Sequence, residues 1–326
     1  METKQKRSQN QCKLCNGEIL LIQEEGTQAV ARLCECSKTC PECNNTGLRY
    51  TTVNHTFSKK VGPKQYDVLV TCHCVPRKER AAIFNQIGIP AKLKRATFES
   101  YKPYTEGQEK ALNVARSFAY DYKKGAQNKG FIVSGPVGAG KTHLLCAVLR
   151  YLCLEKGVKS RFIEIPLLYN YLRRAWRDGR RGGETIEPLA EVDLLAIDEL
   201  GTGRGNDFEI ETIDELIARR YNAGKTTIIA TNASLDPDAN TGGKIEEAAR
   251  LSKNLTYTQT RDLFKESRRE QTLRELTSNR IFSRICEICT FVPLPRDTPD
   301  YRRPHNETDH RFIPFPPPAA SKPRNP

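Results

Sequence analysis

Phe131-Ile-Val-Ser-Gly135-Pro-Val-Gly-Ala-Gly-Lys-Thr142 is the stretch whose reading decides the fold. A short apolar strand runs straight into the loop made by Gly135, Pro136, Val137, Gly138, Ala139, Gly140, Lys141 and Thr142. His143 and an apolar helical run over residues 144–154 follow it. Strand, glycine loop and helix in that order are what a phosphate-binding loop requires. Glycines let backbone N–H groups close on the β- and γ-phosphates, and the helix N-terminus adds the positive end of its dipole. Lys141 supplies a mobile positive charge, and Thr142 a hydroxyl for the magnesium ion that bridges those phosphates. The expected ligand is ATP with Mg2+.

Working outward, Leu194-Leu-Ala-Ile-Asp198-Glu199 reads as a buried strand that ends in two carboxylates at the carboxyl edge of a sheet. Asp198 is expected to hold the magnesium and Glu199 to polarise the attacking water. Paired acids after a strand also serve as helix N-caps, and the upstream loop is what favours catalysis here. Thr226-Thr-Ile-Ile-Ala-Thr-Asn232 is a further buried strand, whose terminal Asn232 either orients that water or simply forms a turn. With candidate strands at 131–134, 161–165, 194–198, 226–231 and 290–294 separated by helical stretches, the pattern predicts an α/β fold. Its five-stranded parallel sheet lies between crossover helices.

The twelve cysteines are unevenly spread, and eight of them precede residue 75. Cys12-x2-Cys15 with Cys34-x-Cys36, then Cys40-x2-Cys43 with Cys72-x-Cys74, repeat one pattern in tandem. Each repeat offers the four thiolates of a closed, structural zinc site. One zinc per repeat is the simplest arrangement; cross-bracing between repeats and an iron–sulfur cluster stay open at this stage. Cys146, Cys153, Cys286 and Cys289 are expected to be packing residues. The organisation that follows is a zinc-binding module over 1–76 and a linker over 77–90 with a charged helix at 77–86, broken by Ile89-Pro90. An ATPase domain over 91–302 and a disordered, Pro-rich tail over 303–326 complete it.

The chain carries 52 Lys and Arg against 39 Asp and Glu, a formal charge of +13 that favours a polyanionic partner. No apolar run approaches the length of a bilayer span, so no membrane partner is expected. The amino terminus has no apolar signal core, which predicts a cytoplasmic protein with reduced thiols. Tyr171-Leu-Arg-Arg-Ala-Trp176-Arg-Asp-Gly-Arg-Arg181 places five arginines beside the only Trp. Stacking rings with guanidinium charge suit single-stranded DNA, and a solvated helix end with Trp176 anchored in the core is the alternative.

Beyond the loop, three segments carry a resemblance: Ile89-Pro-Ala-Lys-Leu-Lys-Arg-Ala-Thr-Phe98-Glu-Ser-Tyr, Gly-Lys-Thr-His143-Leu, and Arg219-Arg-Tyr-Asn-Ala-Gly-Lys-Thr-Thr. Together with Asn279-Arg280-Ile-Phe-Ser-Arg284 and Asp300-Tyr-Arg302, they make residues 89–302 resemble AAA+ ATPases of the DnaC and IstB family. The resemblance implies that Arg284 is an arginine finger reaching the γ-phosphate of a neighbouring subunit, with Arg280 as its rival, and that Arg302 is a second sensor in its own subunit. A finger acting in trans implies a homo-oligomer in the ATP state. Residues 240–270 depart from the pattern, being longer and more charged than the family leads one to expect. Cys40-Pro-Glu-Cys-Asn-Asn-Thr-Gly47 with Cys72-His-Cys also resembles the amino-terminal module of DnaC-like loaders, where it engages the helicase. The implied function is an ATPase that loads a replicative DNA helicase onto DNA. The alternatives are an IstB-type transposition helper and a nucleotide-dependent binding switch with negligible hydrolysis.

Overall fold

The computed structural model of the chain describes residues 12, 14–15, 20–37, 40, 42–55, 64–72, 74–179, 183–203, 205–235 and 272–302. Contacts group the chain into two units, residues 1–95 with 150–159, and residues 96–149 with 160–326.

In the first unit, β1 (Leu20–Glu25) pairs antiparallel with β2 (Gln28–Leu33), and β3 (Leu48–His55) pairs antiparallel with β4 (Lys64–Thr71). The first hairpin closes in two residues between Glu25 and Gln28, where Gly26 takes φ 58. Glycine adopts that left-handed geometry without a Cβ penalty. Helix α1 (Cys74–Asn85) starts three residues before the predicted linker helix. Its Pro76 falls in the first turn, where a missing N–H costs no helical hydrogen bond. α1 fastens to β2 through Asn85, whose Oδ1 accepts from Ala31 N at 2.6 Å and whose Nδ2 donates to Ala31 O at 3.1 Å. Phe84, Ala29 and Ala31 are buried in this unit.

The second unit opens with α2 (Glu106–Asp121), started by a capping box in which Thr105 and Gln108 satisfy each other's backbone N–H groups. Next come β5 (Gly130–Ser134), α3 (Lys141–Lys156), β6 (Ser160–Glu164), α4 (Ile165–Arg177), α5 (Gly183–Glu191) and β7 (Leu194–Asp198). After them run α6 (Asp207–Asn222), β8 (Thr226–Thr231), α7 (Leu273–Leu276), α8 (Asn279–Ile288) and β9 (Cys289–Pro293). The five strands form the expected sheet in the order β6-β7-β8-β5-β9, every pair parallel. β5, β7 and β8 are buried along their whole length, as helices on both faces demand. Ile132, Leu195, Ile197 and Ile229 pack with Leu168, Leu172, Leu216, Ile217 and Ile285 into one core. Because the strands are parallel, Ser134, Glu164, Asp198 and Thr231 all arrive at the same carboxyl edge, where ligand crevices of α/β sheets form. Residues 236–271 and the tail over 303–326 lie outside the described residues.

Candidate nucleotide site and metal centres

At that edge the chain leaves β5 and turns through residues 135–140 into α3. Gly138 and Gly140 hold φ 80 and φ 88. A side chain at 138 would collide with the Asp300 carboxylate, and one at 140 would meet the Tyr101 ring at 2.6 Å and the Tyr301 ring at 3.1 Å. Lys141 is 7% exposed, and its Nζ donates to Gly135 O at 2.8 Å and Pro136 O at 2.7 Å. Burial lowers its pKa to about 8, against the pull of Asp198. The ammonium is thus sheathed by carbonyl dipoles of its own loop.

Asp198 ends β7 and faces α3. Burial raises its pKa to about 6, and a hydrogen bond from Thr142 works in the opposite direction. Its Oδ1 also accepts from Glu199 N at 3.0 Å. Glu199 holds φ 58, a left-handed conformation that costs a non-glycine residue about 1–3 kcal/mol. Glu164, in register with Asp198, adds a third carboxylate to the field. No motif pointed to Glu164; only strand pairing brings it there. The electrostatic neighbours of Lys141 are Asp198, Arg302 and Glu199, so four of the expected site residues share one locus.

β8 ties the site's two loops together through Thr231. Its carbonyl accepts from Gly135 N at 3.3 Å, and its hydroxyl donates to Leu200 O at 2.6 Å. Asn232 is the next residue, exposed, and it lines a cavity of about 440 Å³ together with Ser134, Gly135 and Pro136. His143 turns to the segment before α2, with Nε2 at 2.9 Å from Thr97 O and 3.2 Å from Ser100 Oγ. Tyr101 OH donates to Ala139 O at 3.2 Å, as does Gln108 Nε2 at 3.3 Å, and Tyr301 N donates to Gly138 O at 3.1 Å. Sequence reading missed Gln108, which carries no signature of its own, and gave no role to Tyr101, which ends the segment that begins at Ile89.

Arg284 turns to α6. Its guanidinium donates to Asp214 Oδ1 at 2.7 Å, while Arg280 lies 3.7 Å from the other oxygen and is 73% exposed. On α4, Arg173 is paired at 2.8 Å with Glu209, which is almost fully buried. Trp176 is exposed and stacks on Phe208, with ring centroids 6.0 Å apart and planes within 15°. Tyr171, Arg174 and Arg177 are exposed on the same helix, and Arg180 and Arg181 lie outside the described residues.

The thiols sort by repeat. Cys12, Cys15, Cys34 and Cys36 form one cluster and Cys40, Cys43, Cys72 and Cys74 the other, with all ligand atoms of a cluster within 4.8 Å of one another. Sulfur separations of 3.8 Å (Cys12–Cys34), 3.5 Å (Cys15–Cys36), 3.6 Å (Cys40–Cys72) and 3.5 Å (Cys43–Cys74) were found. Four thiolates about 2.3 Å from one zinc stand roughly 3.8 Å apart, so each cluster fits a single ion and the pairing is within repeats. In each repeat a β-hairpin separates the two cysteine pairs. Backbone N–H groups of the Cys12 turn lower that thiol's pKa to about 7, while hydrogen bonding to Cys15 and Cys34 raises that of Cys36 in the same cluster to about 12. Cys146, Cys153 and Cys289 are buried, Cys289 as the first residue of β9, and Cys286 is exposed.

A family model described as IstB-like ATP binding protein matches residues 52–271. The replicative helicase loader DnaC of Escherichia coli K12 is 29% identical over 174 residues, covering 53% of this chain and 70% of that protein. The uncharacterized protein YdaV of the same strain is 30% identical over 154 residues, covering 47% and 61%. A crystal structure of the DnaC helicase loader superposes with a TM-score of 0.47 at 25% identity, over 63% of this chain and 99% of that one. No helix among the described residues is long and apolar enough to cross a membrane.

Proposed function

Because this chain belongs to the IstB-like ATP binding family of AAA+ ATPases, we propose that it binds and hydrolyses ATP and uses that cycle to load a replicative helicase onto DNA. The observation that carries the reading is the convergence of Lys141, Thr142, Asp198 and Glu199 at one sheet edge. Loop N–H groups and Lys141 hold the phosphate tail. Thr142 and Asp198 would hold a magnesium ion, which would supply charge neutralisation for the phosphate tail. Glu199 polarises the attacking water and takes its proton. Asn232 orients that water. Arg302 serves as the sensor of its own subunit, and an arginine of α8 completes the site of a neighbour. Arg280 suits the trans role as well as Arg284 does, since Asp214 already holds Arg284. His143 supports the site by fixing the segment 97–100 against α3.

ATP turnover with single-stranded DNA present tests the enzyme. Glu199→Gln should keep nucleotide binding and lose turnover by about 10²-fold or more. Parent turnover no higher than the variant's would leave a nucleotide-dependent switch. The similarity to a helicase loader favours loading, for which full-length protein should co-elute with a replicative helicase hexamer in ATP and raise the helicase bound to closed circular single-stranded DNA. The IstB-like match keeps a second reading, the transposition helper that the sequence resemblance also implies. Co-elution with a transposase and not with a helicase would select it.

A further inference from the structure

Phosphate-binding loops work only if their N–H groups point inward, and a trans peptide sends its C=O and N–H in opposite directions. Whatever holds the carbonyls outside therefore aims the amides inside. In this chain the carbonyls of Gly138 and Ala139 are both held from outside. Gly138 O accepts the backbone N–H of Tyr301 at 3.1 Å, and the Ala139 N–H of the same peptide turns back to donate to Pro136 O at 3.4 Å. Ala139 O accepts two donors, Tyr101 OH at 3.2 Å and Gln108 Nε2 at 3.3 Å. Gly140 O is taken by Leu144 N at 3.2 Å, the first helical bond of α3.

The holders are themselves fixed. Gln108 is fully buried and locked by the α2 capping box, with Oε1 accepting from Tyr104 N at 2.8 Å and Thr105 N at 3.2 Å. Tyr101 is 4% exposed, and its ring lies against Gly140. Tyr301 packs against it with centroids 5.7 Å apart and against Tyr104 at 5.0 Å. Its hydroxyl donates to Lys102 O.

We propose that Tyr101, Gln108 and the strap at residues 300–302 form an external clamp that holds the loop's outer carbonyls and so orients the N–H group of Gly140 for phosphate, so that Tyr101 and Gln108 are positioning residues for the nucleotide. The proposal rests on the nucleotide-binding reading and adds to it. The clamp acts on the loop's ground state, so it sets affinity for any nucleotide with a β-phosphate and does not distinguish ATP from ADP. The Arg302 charge is a separate device and acts on the γ-phosphate alone.

Two substitutions isolate the clamp. Gln108→Glu keeps the acceptor that the capping box needs and loses the donor to Ala139 O. Tyr101→Phe keeps the ring against Gly140 and loses the hydroxyl. In full-length, zinc-replete protein, calorimetry with ADP, ATP and inorganic pyrophosphate should show the double variant weakened on the order of ten-fold for all three ligands. Turnover at saturating ATP should stay near that of the parent; the melting temperature without nucleotide should fall in the double variant, because Gln108→Glu places a carboxylate at a fully buried position, and should stay near the parent's in Tyr101→Phe. Tyr101→Phe alone should show a smaller loss of the same form, which covers the case in which the double variant folds poorly. Unchanged affinities in a folded variant would overturn the clamp. A loss confined to ATP would do so too, because it would place these residues at the γ-phosphate. Parent protein that takes up neither ADP nor ATP would sink the nucleotide-binding reading first, and the clamp with it.

Discussion

A carboxylate taken out of water resists ionisation, and Asp198 is in that position, with a pKa raised from 3.8 to about 6 chiefly by burial. Between those values the folded chain binds more protons than the unfolded one, so this residue's contribution to stability falls as pH rises from about 4 to about 6 and stays low above that. Asp198→Asn should therefore melt higher than the parent at neutral pH, by at most about 3 kcal/mol, with the gap closing toward pH 4. Paired melts across that range check it, and a gap independent of pH would contradict the burial argument. The place of Asp198 at the sheet edge is legible in sequence because it ends a wholly apolar strand downstream of a glycine loop. The partners of Arg173, Arg284 and His143 are not legible. Arg173 meets Glu209 and Arg284 meets Asp214 across 36 and 70 residues, and no local pattern encodes such pairings.

Helix α4 shows the same division within one element. Its residues read as a basic, aromatic stripe, yet Arg173 is committed to a buried carboxylate while Arg174, Arg177 and Trp176 face solvent. Replacing Arg174 and Arg177 by Ala should weaken single-stranded DNA binding at low salt and leave the melting temperature within a degree or two. Arg173→Ala should lower the melting temperature, because it strands the Glu209 carboxylate. Fluorescence anisotropy and thermal melts on the same samples separate the two effects. Helix α6 supplies a second case in Arg220, which is fully buried and donates to Leu189 O at 2.7 Å, Val192 O at 2.9 Å and Thr227 Oγ1 at 3.0 Å. This one guanidinium closes the carboxyl end of α5 and the start of β8. Arg220→Met leaves those acceptors without their donor and should cost about 3 kcal/mol or more in chemical denaturation; a loss under about 1 kcal/mol would mean that water replaces it. The five sheet strands were readable to within a residue because buried parallel strands are continuous apolar runs. The four hairpin strands were not singled out, since their apolar runs, Ile19-Leu-Leu-Ile22 and Val68-Leu-Val70, are short and lie in otherwise polar segments.

Across the molecule, stability has two sources. The second unit buries a continuous apolar core. In the first, two hairpins are framed by thiolate clusters, and a two-stranded hairpin is marginal on its own. Metal analysis should find two zinc ions per chain, falling to one in Cys12→Ser and also to one in Cys43→Ser. Loss of both ions from a single substitution would mean that the clusters share a ligand. Chelation should melt the first unit's hairpins while the sheet's circular dichroism persists. The tandem cysteine spacing made both sites visible in sequence; only the sulfur positions decided the pairing.

The strand that launches the phosphate loop, β5, lies between β8 and β9, which arrive roughly a hundred and more than a hundred and fifty residues later. During synthesis the loop's walls thus stay incomplete until residues 289–293 have left the ribosome, and pairings so distant in sequence form slowly. A prematurely stopped polypeptide lacking residues 289–293 retains the whole glycine signature yet leaves one edge of β5 bare, and should be degraded as an incompletely folded fragment instead of persisting as a competitor.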